Sequence, residues 1–142
     1  MTVVPVRAGD TFLLTGGPVP TPHLWAILWG PAGPANAYLA VMLTSLRPYS
    51  DRSCILNPGD HPFVRHATSV AYRTVLRWTD ERLAQLVADG IAKPRQPVDQ
   101  AVLERMRAGF FRSAHTPHAF IEMALDDFGA ARPAPGADGD RD

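Results

Sequence analysis

The sequence predicts an α+β domain, mainly β, in which a small antiparallel sheet curls on itself and C-terminal helices cover one opening or one face. Three observations carry this. Short β-prone runs, separated by turns rich in Gly, Pro and Asp, fill the chain from Thr11 to Trp78. At Thr79 the apolar spacing changes from that of a strand to that of a helix. Strands that follow one another through short loops pair antiparallel, because parallel pairing needs a crossover of roughly a dozen residues or more.

Gly9-Asp10 reads as a turn into a strand at Thr11 to Leu14. Gly16-Gly17-Pro18, with Pro20 and Pro22 beyond, reads as a loop, since proline removes backbone donors and glycine loosens the chain. His23 to Trp29 is dense in large apolar side chains and predicts a buried strand, broken by Gly30-Pro31-Ala32-Gly33-Pro34. Tyr38 to Leu43 predicts the next strand, closed by Thr44 and Ser45. A polar loop runs from Arg47 to Arg52, and Ser53 to Leu56 is a short strand. Asn57-Pro58-Gly59-Asp60 has proline second and glycine third, as a type II turn requires. Val70, Tyr72, Thr74 and Leu76 alternate with Ala71, Arg73, Val75 and Arg77, which predicts a half-buried strand with arginines on its wet face.

Three helices follow. Thr79 is placed to cap the first, which carries Leu83, Leu86 and Val87 on one face and stops at Gly90. The second is expected to begin near Pro97, with Val98, Val102, Met106 and Phe110 as its stripe. The third is expected to start at Thr116-Pro117 and to bury Phe120, Ile121, Ala124, Leu125 and Phe128 before Gly129. Residues 1–129 thus read as one domain, and 130–142 as a disordered tail of Ala, Pro, Gly, Asp and Arg.

A chain of 142 residues with 46% hydrophobic side chains is long enough to bury a core without disulfides or metal. The single cysteine, Cys54, excludes an internal disulfide and fits a reducing, cytoplasmic setting. Neither a signal peptide nor a membrane span is expected. Formal net charge is zero, so no global field draws a polyanion. Between Thr44 and Trp78, however, Arg47, Arg52, Arg65, Arg73 and Arg77 face only Asp51 and Asp60, a local cationic stretch suited to phosphate.

The sequence lacks a phosphate-binding P-loop, a dinucleotide-binding glycine pattern, paired cysteines and a His-Glu-x-x-His motif. The chemistry-bearing candidates are weaker constellations. His61, Arg65 and His66 lie together beside the Asn57–Asp60 turn. In RNA cleavage a base removes the 2′-hydroxyl proton, an acid protonates the leaving 5′-oxygen and a cation stabilises charge on phosphorus. His61, His66 and Arg65 are of the right types for these roles; the competing role for His61 is to hydrogen-bond backbone and pin the loop. His23 stands at the mouth of the most apolar strand, and Thr44 and Ser45 end the next, where hydroxyls can bond phosphate oxygens. A metal reading would take Cys54, His61 and His66 as ligands, but their spacing matches no structural zinc pattern. Cys54, Trp25, Trp29 and Trp78 read as core residues, and His115 and His118 as surface residues near a helix start.

The order of elements resembles the MazF/PemK family of toxin endoribonucleases. The likeness runs over roughly residues 8 to 90. It rests on Gly9-Asp10 before a short strand, then a Gly/Pro loop, then the strand His23-Leu24-Trp25-Ala26-Ile27-Leu28. A strand ending Leu43-Thr44-Ser45 follows, then the late strand Ser69-Val70-Ala71-Tyr72-Arg73 and a helix with a leucine-rich face. The resemblance implies an SH3-like barrel and a homodimer. It also implies sequence-selective, metal-independent cleavage of single-stranded RNA to a 2′,3′-cyclic phosphate, with no cofactor. The implied protein partner is a small antitoxin whose tail lies in the RNA groove. Thr44 matches the family's catalytic threonine or serine. His23, followed by Leu24, stands where the family carries a catalytic arginine, commonly followed by proline. The His61–His66 loop has no clear counterpart in the family. Taking the resemblance and the residue types together, the expected catalytic set is His23, Thr44, His61 and His66, with Ser45, Arg47, Arg65 and Arg73 binding substrate. The alternative expectation is a non-catalytic SH3-like barrel that binds a protein partner or nucleic acid.

Overall fold

The computed structural model describes residues 5–15 and 21–133. Residues 16–20 of the expected glycine-proline loop and 134–142 of the tail expected at 130–142 lie outside the described residues. The start of that tail is described, and there the Ala130 amide donates to the Ala124 carbonyl at 3.0 Å. The strands are β1 (Thr11–Leu14), β2 (His23–Ala32), β3 (Ala37–Ser45), β4 (Ile55–Leu56), β5 (Thr68–Trp78) and β6 (Ala92–Arg95). The helices are α1 (Asp80–Ala88), α2 (Gln100–Arg112) and α3 (His118–Asp127). The strands form one sheet in the order β4-β5-β3-β2-β1-β6, with every neighbouring pair antiparallel. The fold is thus α+β, a curled half-barrel with C-terminal helices against it.

One carbonyl links the two edges of the curled sheet. His61, in the loop leaving edge strand β4, hydrogen-bonds through Nε2 to the carbonyl of Gln96, just past the opposite edge strand β6. Thr11 Oγ1 of β1 donates to the same carbonyl at 2.8 Å. The two edges of the sheet are therefore brought together without a ladder between them.

Several strand outcomes differ from the sequence reading, β4 among them, which covers only Ile55–Leu56 of the expected Ser53 to Leu56. β2 runs through the expected break at Gly30, which is held at φ 126°. A Cβ there would come within 2.6 Å of the Ala37 carbonyl, so only glycine fits. The chain turns later, where the Asn36 amide donates to Gly33 at 3.1 Å. The alternation expected along β5 also fails halfway. Ala40 pairs with Leu76 but Met42 with Ala71, so β5 carries extra residues and bulges. Thr74 turns its hydroxyl into the gap and accepts from the Met42 amide at 3.0 Å, and beyond it Val75 is buried while Leu76 is exposed. Finally, Lys93-Pro94 forms part of β6, a strand that the sequence pattern does not signal. Proline is tolerated there because an edge strand leaves one side unpaired.

Helix starts follow hydrogen-bond supply. Thr79 caps α1, accepting from the Arg82 amide at 3.1 Å. α2 starts later than Pro97 suggests, because Asp99 is its cap and accepts from the Val102 amide at 2.9 Å. Thr116 does not cap α3; its hydroxyl donates to the Phe110 carbonyl at 2.7 Å, and Pro117 takes the cap position.

The sheet separates two cores. Leu24, Ala26, Leu39, Val41, Leu43, Val70 and Tyr72 point to one face, beneath Met106 and Phe110 of α2 and Ala124 of α3. The approach of α2 is close. The Tyr72 hydroxyl donates to the Met106 carbonyl at 2.7 Å, and Gly109 leaves room for the ring, since a Cβ there would meet Tyr72 and Cys54. Ile27, Tyr38, Ala40 and Trp78 point to the other face and pack under Leu83 and Leu86 of α1.

Candidate functional site

Register places the candidate residues. Leu14 of β1 pairs with His23 of β2. Leu24 pairs with Leu43, so His23 lies beside Thr44 of β3, and Thr44 pairs with Ser69 of β5. Because side chains alternate, this row shares the face that α1 packs on, opposite Leu24, Leu43 and Val70. It lies at the other end of that face from Ile27, Ala40 and Trp78.

Two hollows meet at this row, and His23 and Thr44 line both. The smaller, about 130 Å³, also has Ser45, Arg65, His66 and Thr68 in its wall. The larger, about 300 Å³, adds Arg47, Tyr49, Asp51, Ser69, Arg73 and His115. Sites for drug-sized molecules run from roughly 300 to 1,000 Å³, so the smaller hollow suits a group rather than a whole ligand. The structure thus gathers seven of the expected residues, His23, Thr44, Ser45, Arg47, Arg65, His66 and Arg73, around one divided cleft.

The hydrogen bonds set what these groups can do. His23 Nδ1 lies 3.3 Å from the Leu43 carbonyl. A carbonyl only accepts, so Nδ1 carries the proton and, in the neutral ring, Nε2 keeps its lone pair. Ser45 Oγ and His66 Nε2 are 2.8 Å apart. Thr68 Oγ1 donates to the His66 carbonyl at 2.8 Å and fixes that residue's backbone beside the strand ends. Among the described residues the Thr44 hydroxyl makes only a long contact, 3.4 Å to the Ser45 carbonyl, which leaves it able to turn toward a ligand.

The loop 46–53 carries Arg47 and Tyr49 and is anchored from behind. Asp51 accepts from the Ser53 amide at 2.9 Å and from the Ser113 hydroxyl at the end of α2. Partial burial pushes the Asp51 carboxyl up, but the hydrogen bonds from Ser113 and Ser53, aided by nearby His115, more than offset this and hold it below its usual value. Ser69 Oγ donates to the Asp51 carbonyl at 2.6 Å. Tyr49, Asp51 and His115 are site residues that the sequence reading missed. Asp51 and His115 lie far apart in sequence, and only the return of the chain after α2 brings them together.

His61 stands elsewhere. It does not line either hollow. It is 5% exposed, its Nε2 donates to Gln96, and its Nδ1 accepts from the Phe63 amide at 3.0 Å. One neutral tautomer satisfies both ring nitrogens, so the residue pins the loop and has no atom left for a substrate. Cys54 is buried in the main core, where burial pushes its thiol up and keeps it protonated. Among the described residues no three His, Cys, Asp or Glu side chains gather as a metal ion would need. Trp29 and Trp78 are buried and Trp25 is partly so. Of the two late histidines, His118 pairs with Glu122 on the surface at 3.2 Å, while His115 borders the larger hollow. No described helix is long and apolar enough to cross a membrane. No family model matches the chain, nor does any curated protein or any solved structure.

Proposed function

We propose that the protein is a metal-independent endoribonuclease acting on single-stranded RNA, a divergent relative of the MazF/PemK toxins on an SH3-like barrel. The observation that supports this reading most is the shared wall of the two hollows. His23 and Thr44 meet there, His66 and Arg65 lie on one side, and Arg47 and Arg73 on the other. A phosphodiester astride that wall would have a base, an acid and cations within reach.

In this reading His23 Nε2 takes the proton of the 2′-hydroxyl, and the 2′-oxygen attacks phosphorus. The bond from phosphorus to the 5′-oxygen breaks, and protonated His66 supplies that oxygen with its proton. The products are a 2′,3′-cyclic phosphate and a 5′-hydroxyl. Thr44 and Ser45 offer hydroxyls to the non-bridging oxygens, and Arg65 balances the charge gathering on them. Arg47 and Arg73 hold the flanking phosphates. His61 takes no part. The partner in this reading is a small antitoxin with an extended segment that competes for the same cleft, and the working unit is a homodimer.

The test is cleavage of a mixed-sequence single-stranded RNA in excess chelator, with His23→Ala beside the parent protein. Discrete cuts with cyclic-phosphate ends, lost in the variant, support the proposal. Intact RNA in the presence of folded parent protein overturns it. Retained RNA or protein binding would then identify a non-catalytic barrel.

A further inference from the structure

The larger hollow has one feature that cleavage chemistry leaves unused. Tyr49 on its rim is 81% exposed, the most exposed large hydrophobic side chain described. Its backbone is tightly held. The Ser50 amide donates to the Arg47 carbonyl at 3.0 Å, closing a turn. The Arg47 amide donates to Ser50 Oγ at 2.8 Å. Pro48 takes the second turn position, where its fixed φ suits the turn. Behind the turn, Asp51 is tied to Ser113 and Ser69. An aromatic ring is thus presented to solvent on a stiff support, at the edge of a hollow lined by Arg47, Arg73 and His115.

We infer that this hollow is a nucleobase subsite, in which Tyr49 stacks on a base of a single-stranded nucleic acid while Arg47 and Arg73 take the phosphates beside it. The inference deepens the ribonuclease reading and rests on it for the position of the scissile phosphate at His23 and Thr44. Aromatic side chains beside basic ones are what single strands are held by, since every base offers a π-face and every linkage a negative charge. A folded ring with two rotatable bonds also loses little freedom on stacking. The arrangement selects for unpaired bases, because a base within a duplex has no free face to offer.

The test is binding of a fluorescent 2′-O-methylated single-stranded RNA, which cannot be cleaved, compared with an abasic ribose-phosphate chain of the same length. Tyr49→Ala should bind the intact strand about 5- to 150-fold more weakly than the parent. Tyr49→Phe should restore binding, and all three proteins should bind the abasic chain alike. Equal binding of the intact strand by Tyr49→Ala and parent overturns the inference, as does an equal loss on both strands. Cleavage of unmodified RNA by the parent protein is read beside these. Cleavage with Tyr49-independent binding would remove the subsite and keep the ribonuclease. Tyr49-dependent binding without cleavage would do the reverse, and absence of any binding overturns the subsite as well.

Discussion

The same face of β2, β3 and β5 is apolar at one end and polar at the other. Ile27, Tyr38, Ala40 and Trp78 lie under Leu83 and Leu86 of α1. A few residues along the same strands, His23, Thr44 and Ser69 border open hollows. Trp25, half-buried against Trp78 with ring centroids 5.5 Å apart, marks the boundary. Length explains the division. α1 has nine residues, a rod of about 14 Å. β5 has eleven, but its bulge packs them opposite only the eight of β3 from Tyr38 to Ser45, an extended run of about 27 Å. A helix that short cannot cover the whole strand however it is laid. One sheet face is therefore sealed at one end and open at the other, and position along the strand decides which.

The comparison breaks most readily by substitution at its two ends. On the proposed ribonuclease reading, His23→Ala should lower the rate of RNA cleavage by about 10²- to 10⁴-fold while leaving the urea midpoint nearly unchanged, since the side chain is only partly buried. Leu83→Ala, at 2% exposure, should cost about 2–5 kcal/mol of stability, with activity falling only as the folded fraction falls. If His23→Ala unfolds the protein, or if folded Leu83→Ala is inactive, the two ends are not separable. On the opposite face, Gly109→Ala sharpens the point that packing overrides propensity. Alanine favours a helix over glycine by about 1 kcal/mol, yet the added methyl meets Tyr72. The net result should be a loss of about 1–3 kcal/mol in a denaturant titration.

The loop after β4 holds a second contrast, between histidines five residues apart. His61→Ala leaves the Phe63 amide without its acceptor and unfastens the two sheet edges. It should cost about 1–3 kcal/mol. Exposed His66 should be replaceable by alanine within about 0.5 kcal/mol, with the loss appearing in cleavage instead. Thermal melts and cleavage rates on both variants check the assignment.

Much of the fold was legible because it depends on local rules. Turn residues, strand alternation and the change of period at Thr79 mark β1, β2, β3, β5 and α1 closely. β6 was not legible, because Lys93-Pro94 becomes a strand only through pairing with Leu13 and Phe12. The bulge in β5 was hidden for a similar reason, since Thr74 replaces a backbone partner that only the folded β3 supplies. At the site, strand ends gave away His23, Thr44 and Ser45, because such positions project from a rigid support. His61 and His66 looked alike in sequence. What separates them is the carbonyl of Gln96, which reaches His61 from 35 positions away. Tyr49 carried no periodic signal, as exposure on a turn has none.

The smallest expected effect concerns the anchor behind Tyr49. The Asp51 carboxyl lies below its ordinary value of 3.8 in the folded protein, because hydrogen bonds from Ser113 and Ser53 outweigh partial burial. A carboxyl lowered on folding contributes its full stabilisation above the unfolded value and loses it as pH falls through the folded one. The urea midpoint should therefore hold from neutrality to about pH 4 and decline below it. Asp60 adds to the same decline, its carboxyl also lying low because the Asn57 amide and Arg105 outweigh the effect of burial. Asp51→Asn isolates the first share. It should cost about 1 kcal/mol at neutral pH and make the acid decline shallower. If the anchor positions Tyr49, this variant should also weaken binding of intact single strands slightly more than of abasic ones. Asp60→Asn should flatten the decline without touching that ratio, because its turn lies outside both hollows. An equal effect of the two variants on strand binding would mean that the loop holds Tyr49 without Asp51.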